Sequence, residues 1–147
     1  MKKINLKSGF VNLVGVPNSG KSTLTNKLVG KKISIVSHKV QTTRFCIRGI
    51  CNFNLSSKSK SQIIFVDTPG IFSAKRKFEK IMVSNAWNEL NSTDKAVFIH
   101  DVSKQINNND TKEIIDKIFH IKPNIILALN KIDLLPKELL LKKISEI

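Results

Sequence analysis

The chain alternates short apolar runs with stretches in which apolar side chains recur every three or four positions. The apolar runs are rich in β-branched and aromatic residues and predict strands at residues 10–14, 45–55, 62–66, 95–100 and 124–129. The helical spacing predicts helices at residues 21–29, around 78–90, around 114–119 and from Pro136 onward. This alternation predicts an α/β domain with a mostly parallel sheet and helices on both faces.

One pair of strands departs from the alternation. Residues 56–61 form a short polar stretch between the second and third apolar runs, with Lys58 and Lys60 in it. A connection this short predicts a hairpin, and therefore one antiparallel strand in the sheet. Residues 31–44 have no clean period and are predicted to form a polar loop, and residues 107–110 a loop that caps the next helix.

The sharpest chemical signal is Gly15-Val-Pro-Asn-Ser-Gly-Lys-Ser-Thr23, which follows the first predicted strand and opens the first predicted helix. It matches G-x-x-x-x-G-K-[ST], the P-loop pattern. Glycine lets the backbone bend so that successive N–H groups point at a phosphate. Lys21 adds positive charge over the β- and γ-phosphates, and the Ser22 hydroxyl is a hard oxygen ligand for Mg²⁺. The motif predicts a P-loop NTPase three-layer sandwich, with a nucleotide contacted by Gly15, Asn18, Ser19, Gly20, Lys21, Ser22 and Thr23.

Ligands of open α/β sheets sit beyond the carboxyl ends of the strands, so residues placed there are candidates for nucleotide chemistry. Asp67 follows the third apolar run and is expected to support Mg²⁺, while Gly70 can turn its N–H toward a γ-phosphate. Thr43, in the loop before the second strand, is a candidate for a second hydroxyl on Mg²⁺. These residues predict a metal site beside the P-loop.

Asn130-Lys131-Ile-Asp133 ends the last predicted strand and points to the base. A carboxylate at Asp133 can accept from both N1–H and the exocyclic amine of guanine, a donor pair that adenine does not present. Asn130 and the Lys131 stem would frame the ring. The segment therefore predicts guanine rather than adenine recognition.

Composition adds a class of partner. The chain has 25 basic and 11 acidic residues, a net charge of +14 and a pI near 10.0, which favours a polyanion such as a nucleotide, RNA or an anionic membrane surface. Lysine, isoleucine and asparagine are abundant throughout, a bias that an A/T-rich coding sequence also produces. Cys46 and Cys51 have no Cys/His partner set for zinc and are predicted to be reduced thiols. No apolar run approaches the roughly 20 residues of a membrane span.

These motifs together resemble the Era family of translation-factor-class P-loop GTPases. The resemblance implies that residues 1–147 are an Era-type GTPase (G) domain, which binds GTP and GDP with Mg²⁺ and hydrolyses GTP as a molecular switch. It rests on Gly15-Val-Pro-Asn-Ser-Gly-Lys-Ser-Thr-Leu-Thr-Asn-Lys-Leu28, Lys32-Ile-Ser-Ile35, Ser37, Gln41-Thr-Thr-Arg44, Asp67-Thr-Pro-Gly70 and Asn130-Lys131-Ile-Asp133.

The resemblance also implies roles for single residues. Thr43 would be the Mg²⁺ ligand of the first switch, and spacing leaves the adjacent Thr42 open as an alternative. Ile71 stands where Ras-like proteins carry a water-orienting glutamine, and an isoleucine cannot hydrogen-bond water. A potassium ion near Asn18 would take the place of an arginine finger. The implied catalytic residues are Lys21, Thr43, Gly70 and Asn18, and the implied metal ligands are Ser22, Thr43 and Asp67.

The implied partners are the small ribosomal subunit and its 16S rRNA, in subunit assembly and rRNA maturation. Family members contact RNA mainly through a KH domain. That domain, a Ser-Ala loop that supports guanine, and the last strand and helix of the G domain are not found before Ile147, so a C-terminally truncated G domain is expected. The resemblance further implies a cytoplasmic location with peripheral contact at the inner face of the cell membrane, and no DNA partner.

Three other readings stay open from the residues. Ile71 and the truncation would suit a nucleotide-binding module that is catalytically silent. A P-loop kinase or ATPase is a second alternative, which Asn130 to Asp133 argues against. The basic charge alone would suit an RNA-binding fragment that does not depend on nucleotide.

Overall fold

The computed structural model of the protein describes residues 5–37, 42–56, 59–104 and 109–145. The described elements, in chain order, are β1 (Asn5–Val14), α1 (Lys21–Val29), β2 (Ile47–Ser56), β3 (Ser59–Asp67), α2 (Lys77–Ser92), β4 (Lys95–Asp101), α3 (Asn109–Ile121), β5 (Ile126–Asn130), a 3₁₀ turn (Ile132–Leu134) and α4 (Lys137–Ser145). The strand order is β2-β3-β1-β4-β5, with parallel pairing except between β2 and β3. The predicted α/β architecture and the antiparallel hairpin are confirmed.

Helices cover both faces of this sheet because successive side chains of a strand point to opposite faces. On one face, Val14 of β1 and Phe98 of β4 pack with buried residues of the second and third helices, Ala86, Leu90, Ile114 and Ile118. On the other face, Leu13 and Ile99 pack with residues of α1 and β3, among them Leu24, Val29 and Phe65. The sheet is thus the middle of three layers.

The first helix has the bounds that the sequence predicts. It begins at Lys21 and ends before Gly30, which adopts a left-handed conformation with φ 72°. The Gly30 N–H donates to the carbonyl of Asn26 at 3.0 Å and satisfies one of the carbonyls that a helix end leaves without a partner.

The strands are longer or shifted compared with the prediction. β1 begins at Asn5, five residues early, because its first half pairs with β3 from Asn5 opposite Ser59. The predicted turn at residues 56–61 is wrong in extent, since β2 reaches Ser56 and β3 starts at Ser59. Ladder hydrogen bonds hold these polar residues extended whatever their side chains. Positions 57 and 58 of the predicted turn lie outside the described residues. So does Gln41, the first residue of the Gln41-Thr-Thr-Arg44 motif. β5 begins at Ile126, two residues later than predicted, because Pro123 and Asn124 form a turn.

The later helices also differ from the prediction. α3 begins at Asn109, so the predicted capping loop at residues 107–110 is wrong for its last two positions, and residues 105–108 lie outside the described part. α4 begins directly after Pro136, whose carbonyl accepts from the Leu140 N–H at 3.1 Å. Its apolar residues Leu139 and Ile144 are about half exposed, and Ile147 is not among the described residues. No helix of the described chain is long and apolar enough to span a membrane.

Candidate functional site

The loop of residues 15–20 joins β1 to α1 at the carboxyl end of the sheet, in backbone conformations that suit few residue types. Gly15 and Gly20 have φ of 153° and 103°. A Cβ on Gly15 would lie 2.5 Å from the carbonyl oxygen of Ile99, and one on Gly20 would lie 2.1 Å from Nδ2 of Asn130. Asn18 has φ 62°, a left-handed conformation that asparagine tolerates better than most residues. Both motif glycines are therefore required by close packing as well as by conformation.

Lys21 is held inside the loop. Its side chain is buried, and Nζ donates to the carbonyls of Gly15 at 3.1 Å and of Val16 at 2.9 Å. Burial lowers the pKa of Lys21 to about 8, and the nearby Asp67 carboxylate opposes that shift. An ammonium that has already lost its water and is held only by neutral carbonyls is well placed to exchange them for an anionic phosphate.

A cavity of about 250 Å³ opens over the loop. Residues of the loop line it together with residues of the segments 31–44 and 68–80 and with Lys131; among the lining residues are Asn18, Lys21, Thr23, Thr42 and Gly70. Residues that are far apart in sequence thus share one space at the carboxyl ends of the strands, where the fold predicts a ligand.

The predicted metal ligands meet beside this cavity. Ser22 Oγ lies 3.0 Å from Thr43 Oγ1, while Thr42 lines the same cavity, so the geometry favours Thr43 and the assignment stays a prediction. Asp67 is fully buried, and neither of its carboxylate oxygens has a hydrogen-bond partner. Burial raises the pKa of Asp67. The nearby hydroxyls of Ser22, Ser34 and Thr43 and the Lys21 ammonium oppose the rise, although none of them is in hydrogen-bond geometry with the carboxylate.

This donor set fits Mg²⁺. A buried carboxylate without a partner is costly unless something compensates its charge, and carboxylate and hydroxyl oxygens are the ligands that this hard cation takes. In the described part of the chain, no three His, Cys, Asp or Glu side chains lie together as a metal-binding cluster.

Gly70 and Ile71 both lie against the loop of residues 15–20, but their Cβ positions face different surroundings. A Cβ on Gly70 would come within 2.8 Å of Pro17, so only glycine fits there without movement. The Ile71 N–H donates to the carbonyl of Gly15 at 3.1 Å, and its side chain is buried in the core with Val14, Ala86 and Leu90. The side chain therefore points away from the cavity and anchors this segment to the core.

The Asn130-Lys131-Ile-Asp133 segment contacts the loop directly. Asn130 Nδ2 donates to the carbonyl of Ser19 at 2.8 Å, and Lys131 Nζ donates to the carbonyl of Asn18 at 3.0 Å. Lys131 has φ 58°, and Asp133 follows in the 3₁₀ turn with its side chain exposed. The structure thus brings the predicted base-recognition segment onto the predicted phosphate-binding loop.

Sequence reasoning missed Asp101, which ends β4 and forms an ion pair with Lys131, Oδ2 to Nζ at 2.6 Å. A signal was present, because Asp101 closes an apolar strand as Asp67 does. The signal was weak, since a single carboxylate before a turn is common in proteins.

Comparisons with known proteins point the same way. A protein-family model described as 50S ribosome-binding GTPase matches residues 10–131. The GTPase Era of a Bradyrhizobium species is 47% identical over 139 residues, which are 95% of this chain and 43% of that protein. The GTPase Era of Rhizobium meliloti is 44% identical over 136 residues, 92% of this chain and 42% of that protein. The chain spans less than half the length of these relatives.

Solved structures give the same picture. A variant of Aquifex aeolicus Era bound to GDP and AlF4⁻ superposes with a TM-score of 0.80 at 39% identity, covering 95% of this chain and 46% of that one. Era in complex with MgGDPNP and nucleotides 1506–1542 of 16S ribosomal RNA superposes with a TM-score of 0.77 at 35% identity, covering 97% of this chain and 47% of that one.

Proposed function

The chain belongs to the family of 50S ribosome-binding GTPases, and from that premise we propose that it binds and hydrolyses GTP as a molecular switch. The observation that carries the proposal is the pair of hydrogen bonds from Asn130 and Lys131 to the carbonyls of the phosphate loop, at 2.8 and 3.0 Å. They join the predicted base-recognition segment to the predicted phosphate-binding loop, which supports a site for a guanine nucleotide. A P-loop kinase or ATPase would have no use for the Asp133 carboxylate at this place.

In the proposed reaction, the loop N–H groups and the Lys21 ammonium bind the β- and γ-phosphates and stabilise the charge that develops there. Ser22 and Thr43 would hold Mg²⁺, with Asp67 in support. When bound, the ion supplies further neutralisation of the phosphate oxygens. Gly70 would direct its backbone N–H at the γ-phosphate.

The buried Ile71 side chain cannot orient the attacking water, so we assign part of this electrostatic work to a potassium ion near Asn18. Asn18 lines the cavity over the phosphate loop, and the carbonyl oxygen of its side-chain amide is a possible ligand for such a cation. Hydrolysis should then be faster in K⁺ than in Na⁺ at equal ionic strength. Equal rates in the two salts would remove potassium from the mechanism.

The switch would act through residues 31–44 and 68–80, whose described parts both contribute residues to the lining of the cavity. Loss of the γ-phosphate would release the contacts of Thr43 and Gly70, and the two segments would change their order together. We propose that this change controls docking on the small ribosomal subunit, in its assembly and the maturation of 16S rRNA. The Era relative solved with an rRNA fragment supports that partner. A cytoplasmic location, with peripheral contact at the membrane, is part of the same proposal.

Calorimetry with GDP, GTP and ATP in Mg²⁺ and K⁺ tests the binding step. The 147-residue chain should bind both guanine nucleotides and not ATP. Asp133→Asn should weaken guanine binding strongly, because an NH2 donor replaces one of the two carboxylate oxygens that would accept from N1–H and the amine. Asp116→Asn is the matched control, since it removes the same charge from an exposed position on α3. ATP binding equal to GDP binding would overturn guanine specificity.

A catalytically silent nucleotide-binding module is the second candidate, and the burial of Ile71 is the observation that favours it. Single-turnover hydrolysis with excess protein separates the two. Conversion of bound GTP to GDP at a rate above that of free GTP supports the enzyme, and retention of intact GTP supports the silent module.

A further inference from the structure

Asp101, the last residue of β4, contacts the base-recognition segment through its side chain and belongs to none of the motifs. Its side chain is buried, with 2% exposure, and both carboxylate oxygens have partners. Oδ2 accepts from Lys131 Nζ at 2.6 Å, while Oδ1 accepts from the Ser103 N–H at 3.1 Å and from the Ser103 hydroxyl at 2.6 Å. The turn after β4 therefore fixes the orientation of this carboxylate before any ligand arrives.

Lys131 needs such a partner. Its backbone has φ 58°, and its side chain is 36% exposed, so neither the backbone nor close packing settles one rotamer. The Asp101 carboxylate and the Asn18 carbonyl bind the ammonium from two sides, at 2.6 and 3.0 Å. The side chain is thereby stretched over the gap between the end of β4 and the loop.

The backbone connects the same places. The Val102 N–H donates to the carbonyl of Asn130 at 3.1 Å, directly before Lys131. A continuous chain of hydrogen bonds thus runs from Ser103 through Asp101 and Lys131 to Asn18. A change at Asp101 should be felt at the loop and at the base segment together, because no other described ion pair reaches Lys131.

The charge state of Asp101 supports this role. Burial alone would raise its pKa, but the hydrogen bonds from Lys131 and Ser103 outweigh burial and hold the pKa below its usual range. The group is therefore a carboxylate at neutral pH. Removing one member of a buried pair leaves the other charge uncompensated, so the pair acts as a unit.

We propose that Asp101 is a positioning residue for guanine nucleotide: it fixes the Lys131 stem across the phosphate loop, where the stem forms one wall of the base site. The inference rests on the proposed function. It assigns Asp101 no contact with the base, since its carboxylate is buried and occupied by Ser103 and Lys131. Discrimination between guanine and adenine stays with Asp133.

The test is GDP binding and GTP hydrolysis by the full chain and by Asp101→Asn, which keeps shape and removes charge. We expect GDP to bind on the order of tenfold more weakly or worse, mainly through faster release. KM should rise while kcat stays near that of the parent, because the stem acts equally on ground state and transition state. ATP should remain excluded. Asp94→Asn is the control, since Asp94 also accepts a backbone N–H, that of Phe10 at 2.7 Å, at the opposite end of the sheet.

A double-mutant cycle with Lys131→Met distinguishes positioning from a general loss of stability. If Asp101 acts through Lys131, the Asp101→Asn change should have little further effect on GDP affinity once Lys131 is methionine. Thermal unfolding of each variant without nucleotide identifies any that fail to fold. Ser103→Ala, which removes one bond to Oδ1, should weaken GDP binding less than Asp101→Asn in a chain that still folds.

Three results would contradict the inference. Unchanged GDP affinity in Asp101→Asn overturns it while the proposed function stands, and so do additive effects of the Asp101 and Lys131 substitutions. A parent chain that is folded but binds no guanine nucleotide overturns the proposed function itself and the inference with it.

Discussion

The phosphate loop and the base-recognition segment meet at the carboxyl ends of the strands, but the strands that carry them are packed differently. The loop is carried by β1, whose neighbours on both sides are strands and whose residues Leu13 and Val14 are buried on opposite faces. The base segment follows β5, a strand with one described neighbour, in which Ile126 is 57% exposed and no described residue is buried. No described residue of α4 is buried either.

This difference separates two ways of holding a binding residue. The loop is positioned by the core, through buried Lys21, Asp67 and Ile71. The base segment is positioned mainly by individual polar bonds to the loop and to Asp101. Affinity for phosphate should therefore depend on charged side chains that the core holds in place. Base recognition should instead depend on individual polar bonds, each of which a single substitution can remove.

Substitution of Lys21 should give the largest effect. In Lys21→Met the dispersion contacts of the stem remain and the charge is lost, so GDP and GTP affinity should fall by about two orders of magnitude or more, the cost of a buried charge-assisted bond to phosphate. Thermal stability without nucleotide should not fall, because a buried ammonium held by carbonyls is itself costly. Fluorescence titration with a labelled GDP measures the change.

Lys27→Met, an exposed position on the same helix, is the control for Lys21 and should bind as the parent does. If Lys21→Met binds GDP within tenfold of the parent, the Lys21 charge does not dominate phosphate binding. The proposed role of the core-packed loop would then be wrong.

The packing difference itself can be measured by truncating one apolar side chain on each strand. Leu13→Ala should lower the free energy of unfolding by about 2 to 5 kcal/mol, since Leu13 is 1% exposed. Ile126→Ala on β5 should lower it by less than about 1 kcal/mol, because that side chain already meets water. Urea unfolding of both variants gives the two values, and similar losses would show that the β5 side is packed as tightly as the β1 side.

Acid should weaken the packed region through His100. This side chain is 3% exposed. Burial lowers its pKa, and the Lys104 backbone and the nearby Asp101 carboxylate offset only part of the effect. The unfolded chain then binds more protons than the folded one below the ordinary histidine pKa near 6.5, so stability should fall as pH falls from 7 toward 5.

His100→Gln should lose less stability than the parent over this pH range, because it has no proton to take up. His120→Gln makes the same change at an exposed position of α3 and should keep the parent's pH profile. Urea unfolding at pH 7, 6 and 5 compares the three chains, and identical profiles in all of them would remove His100 as the cause.

The smallest expected effect is that of an ion pair between β2, at the end of the strand order, and α2. Arg48 of β2 lies 2.5 Å from Glu89 of α2, but the Arg48 side chain is 53% exposed. A double-mutant cycle with Arg48→Met and Glu89→Gln should give a coupling energy of about 0.5 kcal/mol or less, and 0.5 M salt should reduce it. A coupling above about 1.5 kcal/mol would show that this edge depends on charge pairs as the base segment does.

Much of this molecule could be predicted from its sequence, for reasons that are local. Helix α1 depends on nearby side chains and on a glycine that stops it, and its bounds were predicted correctly. The loop motif, Asp67 and the Asn130 to Asp133 segment were placed at strand ends because alternation of strands and helices implies a parallel sheet. Short-range rules were wrong where the partner was distant, as in the first half of β1, which is extended only because β3 lies beside it.

The amino-acid sequence by itself determined which residue types stand at each strand end, because motif spacing and hydrophobic periodicity depend on neighbours in the chain. Only the tertiary structure decided how those ends touch. It brought the Thr43 hydroxyl to 3.0 Å from that of Ser22, turned Ile71 into the core and paired Asp101 with Lys131. These outcomes depend on the distance and direction between side chains about 20 to 60 positions apart, and no pattern along the chain contains that information.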